Sequence, residues 1–274
     1  MKGTLYIVST PIGNLEDITL RALRVLKEVD VIAAEDTRHS LKLLNHYGIS
    51  KPLISYWGEK EKVKAEETVR ILHSGQTVAL ISDAGTPGIS DPGNVLIRKA
   101  IEEGITVIPI PGPTAVISAL SISGFSTDAF VFRGFLPVKE TQRLKELKNL
   151  SLDPRTIVLY EAPHRIQETL ADIEKTFPDR RAVVIREITK FYEEVFRGTV
   201  SAVLERLMSS KIAGEYVIVL EGRPEEKTPM IEDALLEIRT LMKRGLGRKE
   251  AVKRIAGEYG ISKKELYDRS LSGE

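Results

Sequence analysis

Short apolar segments alternate with longer amphipathic ones over the first 125 residues. The short segments are rich in β-branched and aliphatic residues and are Leu5–Ser9, Val29–Ala34, Thr77–Ser82 and Ile105–Ile110. The longer ones carry apolar residues at helical spacing and are Thr19–Lys27, Glu66–Ser74 and Asn94–Glu103. Nearly continuous apolar strands are typical of a parallel sheet covered on both faces. The pattern therefore predicts an α/β fold with right-handed crossovers.

The pattern changes from Ala129 onward. Strands are predicted at Ala129–Phe135, Thr156–Tyr160, Ala182–Glu187, Glu193–Arg197 and Tyr216–Leu220. Helices are predicted at Lys139–Leu150, Arg165–Thr176 and Val200–Ser209. The polar link Thr189-Lys190 is too short for a crossover helix, so the strands on either side of it are expected to be antiparallel. We therefore expect a second α/β domain with a mixed sheet, joined to the first through Phe125–Asp128.

The last part of the chain has the pattern of a small helical appendage. Glu221–Pro229 holds two prolines and five charges and is typical of a linker. Helices are predicted after it at Ile231–Arg244, Arg248–Tyr259 and Lys263–Arg269, the last two joined as in a helix-turn-helix. Residues 239–264 carry nine basic residues against two acidic ones. This excess fits either a solvated helical surface or a polyanion-binding surface. The predicted domains are 1–124, 125–222 and 223–274.

Composition narrows the possible functions. The 40 basic residues nearly balance the 39 acidic ones, so no overall charge points to nucleic acid or membrane. Without cysteine, disulfides, thiolate zinc sites, iron–sulfur clusters and a cysteine nucleophile are excluded. No stretch approaches the roughly 20 apolar residues of a membrane-spanning helix, and the first residues lack the layout of a signal peptide. We therefore expect a cytoplasmic protein.

The segment Ser82–Gly93 is the most informative loop. It follows a strand and precedes a helix, which is where open α/β sheets bind ligands, and it contains three glycines and two prolines. Asp83 can accept hydrogen bonds from a ribose or an ammonium group. Asp91 is expected to cap the next helix, with Pro92 at its first position.

Two further loops follow apolar strands in the same way, Thr10–Leu15 and Pro109–Ala115. Thr114 is a candidate cap for the helix after the second of them. The carboxyl ends of parallel strands meet at one sheet edge, so all three loops are expected to form one pocket. We expect backbone and prolines to line it with few charges, which suits an adenosine-bearing ligand better than a phosphate.

Several common motifs are absent from the sequence. No G-x-G-x-x-G follows the first strand, no G-x-x-x-x-G-K-[ST] occurs and no G-x-S-x-G is found. The four histidines lack metal-binding spacing. Dinucleotide binding, the common Rossmann methyltransferase pattern, kinases, hydrolases and a metal site therefore have no support.

Charged clusters end three of the predicted strands, at Ala34–Arg38, Tyr160–Arg165 and Arg186–Lys190. Taken singly, each fits an ordinary surface ion pair or helix cap. If the fold turns all three toward one cleft, they become candidates for an active site.

Five segments, taken in order, resemble the ribosomal small-subunit RNA methyltransferase I family, a branch of the tetrapyrrole methylase superfamily. They are Leu5–Leu15, Ala33–Arg38, Ser82–Pro87, Pro109–Ala115 and Tyr160–Arg165. The resemblance runs from about residue 3 to residue 222, with the basic appendage following. Porphyrin-modifying relatives usually carry a glycine-rich G-x-G-x-G-D-like first loop, which Thr10–Leu15 replaces here, and this favours the RNA branch.

The resemblance implies a two-domain α/β fold, S-adenosylmethionine in the cleft between the domains, and a homodimer. It implies 2′-O-methylation of a cytidine ribose in the decoding region of small-subunit ribosomal RNA, with the 30S subunit as the expected partner. By analogy with the superfamily, the cofactor-binding positions are Pro11, Asp83, Thr86, Thr114, Ala115, Tyr160, Ala162 and Ala213.

The reaction so implied needs a group to take the proton from the ribose hydroxyl. Glu35, Asp36 and Glu161 are candidate bases, and Arg38, Arg165 or Lys190 is expected to steady a phosphate or the developing charge. The expected RNA contacts are Arg38, Arg165, Lys190, Arg248 and Lys249. Two alternatives stay open, namely a methylase acting on a small tetrapyrrole-like molecule and a non-catalytic RNA-binding assembly factor.

Overall fold

The computed structural model describes residues 2–57, 61–177, 179–210, 212–223 and 231–271. The chain divides into two compact units, Met1–Arg223 and Pro224–Glu274. The first unit holds both predicted α/β regions, so their separation into domains at residue 124 stays a prediction. From residue 224 on, the predicted linker lies outside the described residues.

The first sheet has five parallel strands in the order β3-β2-β4-β1-β5. They are β1 (Thr4–Val8), β2 (Val31–Ala34), β3 (Leu53–Ser55), β4 (Val78–Ile81) and β5 (Thr106–Ile110). Its helices are α1 (Leu20–Glu28), α2 (Thr37–His46), α3 (Glu61–His73), α4 (Asn94–Glu102) and α5 (Ala115–Ser123), and a 3₁₀ turn lies at Leu15–Asp17. The predicted parallel sheet is confirmed, and β3 and α2 are additions to it.

Apolar side chains cover this sheet on both faces. All four residues of β2 and all four of β4 are buried. One apolar cluster includes Leu5, Leu80 and Leu96, and a second includes Val8 and Leu26. This double burial explains why the strands read as continuous apolar runs.

The second sheet is mixed, as expected, with the order β6-β7-β10-β8-β9. Its strands are β6 (Phe130–Phe135), β7 (Thr156–Glu161), β8 (Arg181–Arg186), β9 (Glu194–Thr199) and β10 (Tyr216–Leu220). Only the β6–β7 pair is parallel, and β8 and β9 are antiparallel as the short link between them predicts. Its helices are α6 (Glu140–Leu150), α7 (Ile166–Thr176) and α8 (Val200–Met208).

Helix α5 joins the two sheets. Its buried residues Val116, Ala119 and Leu120 form one apolar cluster with residues of the second sheet, among them Val158 and Val217. Most residues of α5 are apolar, which is typical of a helix enclosed by protein. The helix that follows the last loop of the first sheet therefore belongs to the core of the second.

The second unit is a group of three helices, α9 (Ile231–Lys243), α10 (Arg248–Tyr259) and α11 (Lys263–Leu271). They bury a core that includes Ile238, Ile255 and Leu266. Gly260 ends α10 in the left-handed conformation at φ 63°, where glycine avoids steric cost. Over the described part of the chain, no helix is both long and apolar enough to cross a bilayer.

A buried ion pair ties α6 to α7. The guanidinium of Arg143, whose side chain is 1% exposed, donates to Asp172 at 2.7 and 2.9 Å and to Glu168 at 2.5 Å. Another of its nitrogens donates to the carbonyl of Val138 at 3.1 Å. A buried charge without such partners would carry a large desolvation penalty.

Replacing Arg143 by alanine should lower the free energy of unfolding by about 3–5 kcal/mol, because the buried Asp172 would keep only the exposed Lys175 as an ionic partner. Urea-induced unfolding followed by circular dichroism measures this loss. The double variant Arg143→Met/Asp172→Leu should recover part of it. The control Arg24→Ala removes an exposed ion pair with Glu28 and should cost less than about 1 kcal/mol. Equal losses in the two single variants would contradict the prediction.

Candidate active site

The ends of β2 and β4 brace each other through reciprocal hydrogen bonds. The strands pair in parallel with Ala34 opposite Ile81, so the residues after them lie side by side. The carboxylate of Glu35 accepts from the amide of Asp83 at 3.3 Å, and the Asp83 carboxylate accepts from the amide of Asp36 at 3.1 Å. Both carboxylates are therefore held at the carboxyl edge of the sheet.

The first loop is bonded to the loop after β4. Thr10 and Gly85 exchange backbone hydrogen bonds of 2.8 and 3.1 Å, and the hydroxyls of Ser9 and Thr86 lie 2.7 Å apart. Gly85 adopts φ 80°, a conformation that favours glycine. Gly112 in the third loop approaches Ser9 so closely that a Cβ would stand 2.8 Å from the serine Cβ. The three loops therefore converge, as the sequence predicts.

These loops and the second sheet enclose a cavity of about 390 Å³, the main cavity. Its lining residues are Ile12, Glu35, Asp83, Ala84, Gly85, Thr86, Ile89, Ser90, Asp91, Thr114, Ala115, Phe135, Tyr160, Glu161, Ala162, Pro163, Ile188, Glu215, Tyr216 and Val217. The lining includes residues from all three of the charged clusters that the sequence places at strand ends.

The prediction of a pocket with few charges, lined by prolines, is wrong. Among the described residues of the lining, five are carboxylates, Pro163 is the only proline and none is lysine or arginine. The prolines of the three loops fix backbone turns without forming the wall. Carboxylates reach it from strand ends in both sheets, which gives the cavity a strongly acidic interior.

The structure also corrects the role of Asp91. Helix α4 begins three residues later, at Asn94, and its capping residue Gly93 adopts φ 143°. This φ favours glycine and lies outside the helical range, so the helix does not extend back to Asp91. Asp91 therefore lines the main cavity. Burial raises its pKa to about 6, and the nearby charges of Glu35 and Asp83 add to the rise against a hydrogen bond from Ser82.

The three candidate bases have different surroundings. Burial raises the pKa of Glu35, which faces the main cavity, and the charges of Asp83 and Asp36 add to this. Asp36 lies outside that cavity and caps α2, and hydrogen bonds from Arg38 hold its pKa at about 2. Glu161 is 1% exposed and accepts from Thr169 Oγ1 at 2.6 Å and from the amide of Ala162 at 2.8 Å.

A second cavity of about 480 Å³, the outer cavity, adjoins the main one and shares Glu35 and Asp83 with it. Its other lining residues are Asp36, Thr37, Arg38, Ser55 and Trp57. Trp57 is the one tryptophan of the chain and its residue is 64% exposed. Sequence reasoning missed it because it follows a strand of only three residues, and an exposed tryptophan is visible only once the fold is known.

Six of the eight predicted cofactor positions line the main cavity, namely Asp83, Thr86, Thr114, Ala115, Tyr160 and Ala162. Pro11 is buried outside the lining, and Ala213 is exposed and lies outside it as well. Thr114 stands at the capping position of α5 but makes no side-chain capping bond. Burial raises the pKa of Tyr160 to about 12, with the charge of Asp91 adding to it. The cofactor roles of all eight stay predictions.

The predicted RNA-binding cations differ in what they contact. Arg165 donates to the carbonyls of Leu136 and Pro137, both at 3.1 Å, and its side chain is 12% exposed. Lys190 pairs with Glu187 at 2.8 Å and with Glu215 at 3.2 Å.

Two further cations belong to the second unit, where Lys249 lines a shallow pocket and Arg248 begins α10. The side chain of Arg38 is 89% exposed, and its ion pair is with Asp36. Of the five predicted RNA-binding cations, Arg38 is the one that lines the outer cavity, and the lining of the main cavity contains none of them. Within the described ranges, no group of three acidic or histidine side chains is arranged to hold a metal.

Comparison with known proteins gives consistent matches. Residues 4–204 match the family of Tetrapyrrole (Corrin/Porphyrin) Methylases. The chain is 45% identical to "Ribosomal RNA small subunit methyltransferase I" of Synechocystis sp. over 99% of both chains, and 47% identical to the protein of that name from Pasteurella multocida over 99% of this chain and 98% of that one.

A solved structure has a similar fold over most of its length. It is Uroporphyrin-III C-methyl transferase from Thermus thermophilus complexed with S-adenyl homocysteine, with a TM-score of 0.57 and 19% identity. The match covers 79% of this chain and 97% of that one.

Replacing Asp91 by asparagine should stabilise the protein at pH 8 and not at pH values below about 4. Folding raises the pKa of Asp91 from 3.8 to about 6, so above pH 6 the ionised carboxylate destabilises the folded state. The effect disappears at a pH where Asp91 is protonated in both the folded and the unfolded state. The melting temperature at pH 8 should rise by about 2–4 °C.

As a control of opposite sign, Asp30→Asn should lower the melting temperature at pH 8, because hydrogen bonds from Thr77 lower the pKa of Asp30. Differential scanning calorimetry at both pH values measures the two shifts. An Asp91→Asn variant that is less stable than the native protein at pH 8 would contradict the raised pKa of Asp91.

Proposed function

Since the chain belongs to the ribosomal RNA small subunit methyltransferase I family of tetrapyrrole methylases, we propose that it transfers a methyl group from S-adenosylmethionine to small-subunit ribosomal RNA. The observation that carries this proposal is the identity of 45–47% to proteins of that name over almost the entire length of both chains. A match over the whole length includes the loops that form the cavities as well as the core.

The main cavity is the proposed site of S-adenosylmethionine, which supplies an electrophilic methyl group on a positively charged sulfur. Its five carboxylates suit the sulfonium and ammonium charges of that molecule. Apolar side chains such as Ile12, Ile89 and Val217 offer a surface for the adenine ring. A structural relative with 19% identity is complexed with S-adenyl homocysteine, which agrees with this choice of ligand.

We assign the acceptor as the 2′-hydroxyl of a cytidine in the decoding region of the RNA. The new bond forms between the ribose oxygen and the methyl carbon, while the bond from carbon to sulfur breaks and its electron pair stays on sulfur. The hydroxyl proton goes to a base. Alignment of the two reactants supplies much of the acceleration.

Glu35 is the base that the surroundings favour. It is half-buried, it borders both cavities and its raised pKa strengthens it as a proton acceptor. Asp36, with a pKa of about 2, is a weak base. Glu161 already accepts hydrogen bonds from Thr169 and Ala162.

The remaining parts of the proposal concern partners. Basic helices α10 and α11 border the pocket that contains Lys249, Lys253, Lys263 and Lys264, and such a surface suits RNA phosphates. We propose that it contacts the RNA, that the substrate is the assembled 30S subunit and that the enzyme acts as a homodimer in the cytoplasm.

Labelled methyl from S-adenosylmethionine should appear in ribose of the small-subunit RNA when the protein is offered 30S subunits, naked RNA and a small-molecule extract in parallel. Nuclease digestion and chromatography of the nucleosides identify the labelled position. Label confined to small molecules would move the protein to the tetrapyrrole-modifying branch. Binding of RNA without any transfer of label would leave a non-catalytic assembly factor.

Glu35→Gln should lower kcat by about 10²–10⁴-fold, the usual contribution of a general base. Calorimetry should find binding of S-adenosylmethionine weakened far less than kcat, because four of the five carboxylates of the main cavity remain. The native kcat should rise with pH through the raised pKa of Glu35, and this rise should be absent in the variant. Glu28→Gln, which changes an exposed carboxylate on α1, is the matched control and should behave as native. A Glu35→Gln enzyme with native kcat would exclude this base, and Asp36→Asn and Glu161→Gln would then be compared.

A further inference from the structure

The proposed function assigns the methyl donor to the main cavity and leaves the adjoining outer cavity without a ligand. Glu35 and Asp83 form part of both walls. A ligand in the outer cavity would therefore meet the same two carboxylates that a ligand in the main cavity meets. A carboxylate that borders both cavities can take the proton from a hydroxyl held in one while the hydroxyl oxygen attacks a methyl group presented from the other.

The lining of the outer cavity indicates the chemistry of its ligand. Trp57 offers an exposed indole face, on which any nucleobase can stack. Thr37 and Ser55 add hydroxyls, and the carboxylates of Glu35 and Asp83 are acceptors for hydroxyl and amino groups. Three carboxylates in one cavity disfavour a bare phosphate. The lining thus suits a neutral nucleoside with ribose hydroxyls.

Arg38 extends this set toward the RNA backbone. Its Nε and Nη2 donate to Asp36 at 3.3 and 3.1 Å, which fixes the guanidinium plane beside the cavity. The side chain is nevertheless 89% exposed, and a guanidinium has five N–H donors. Its outer edge is therefore available to a phosphate next to the bound nucleoside.

The walls of the outer cavity are held in place before any ligand arrives. Ser55 pairs with Ala34 in the sheet, and the amide of Tyr56 donates to the Ala34 carbonyl at 2.8 Å. The ring of Tyr56 is buried and its hydroxyl contacts the amide of Leu96 at 3.1 Å. Trp57 thus follows two residues fixed to the core, so the backbone that carries the indole is ordered before a base stacks on it.

We propose that the outer cavity is the acceptor site, where a nucleoside turned out of the RNA stacks on Trp57 and directs its 2′-hydroxyl to Glu35. The inference rests on the proposed function for the direction of transfer. Turning a base out of its stack has a free-energy cost, which stacking on Trp57 would partly offset. Arg38 holds the adjoining phosphate.

Fluorescence of the single tryptophan tests the site without any catalysis. Cytidine 5′-monophosphate titrated into the full-length protein should quench Trp57 emission with saturation, and ribose 5-phosphate and inorganic phosphate should not. Arg38→Ala should weaken binding of cytidine 5′-monophosphate and leave binding of cytidine unchanged. An absence of saturable quenching, or equal quenching by ribose 5-phosphate, would overturn the proposal.

Kinetics give a second readout. Trp57→Ala should raise KM for the RNA by about tenfold or more, within the usual range for loss of one stacked base. Trp57→Phe, which keeps an aromatic face, should restore most of it, and KM for S-adenosylmethionine should not change in either variant. Phe191→Ala, at an aromatic residue that is 93% exposed and lines neither cavity, is the matched control.

The two hypotheses fail in different ways. Methyl transfer to RNA with no quenching and an unchanged KM in Trp57→Ala would overturn the acceptor site alone. Saturable quenching by cytidine 5′-monophosphate with no methyl transfer to RNA would support a nucleoside site and overturn the proposed reaction.

Discussion

Parallel pairing of β2 with β4 is the constraint on which both cavities depend. Because Ala34 lies opposite Ile81, the next residues leave the sheet at the same level. The Glu35 carboxylate then accepts from the amide of Asp83, and the Asp83 carboxylate accepts from the amide of Asp36. Any slip of this register would separate the two carboxylates and remove the wall that the cavities share.

The main cavity also depends on helix α5, which packs against the second sheet. Val116 and Leu120 are packed into the core of the second sheet, while Thr114 and Ala115 at the start of the helix line the main cavity. The burial of one helix thereby brings Tyr160, Glu161 and Glu215 of the second sheet to the carboxyl edge of the first. Packing energy that stabilises the fold also closes the site.

The sequence contained enough information for the architecture and for the meeting of the three loops, because apolar runs and strand-end glycines are local signals. It was not enough for features set by tertiary packing. Asp91 and Pro92 have the pattern of a helix start, but Gly93 at φ 143° lies outside the helical range and α4 begins only at Asn94. Trp57 follows a strand of three residues, whose pairing with β2 is invisible in the sequence. The acidity of the main cavity comes from carboxylates far apart in the chain.

That acidity has a consequence for turnover. In the proposed reaction the donor enters with a positive sulfur and leaves as an uncharged thioether. The five carboxylates attract both positive groups of the donor, and the attraction to sulfur disappears once the methyl group has left. The chemical step itself therefore weakens the hold of the cavity on its product, so that release of the spent donor is driven by the charge it has given up.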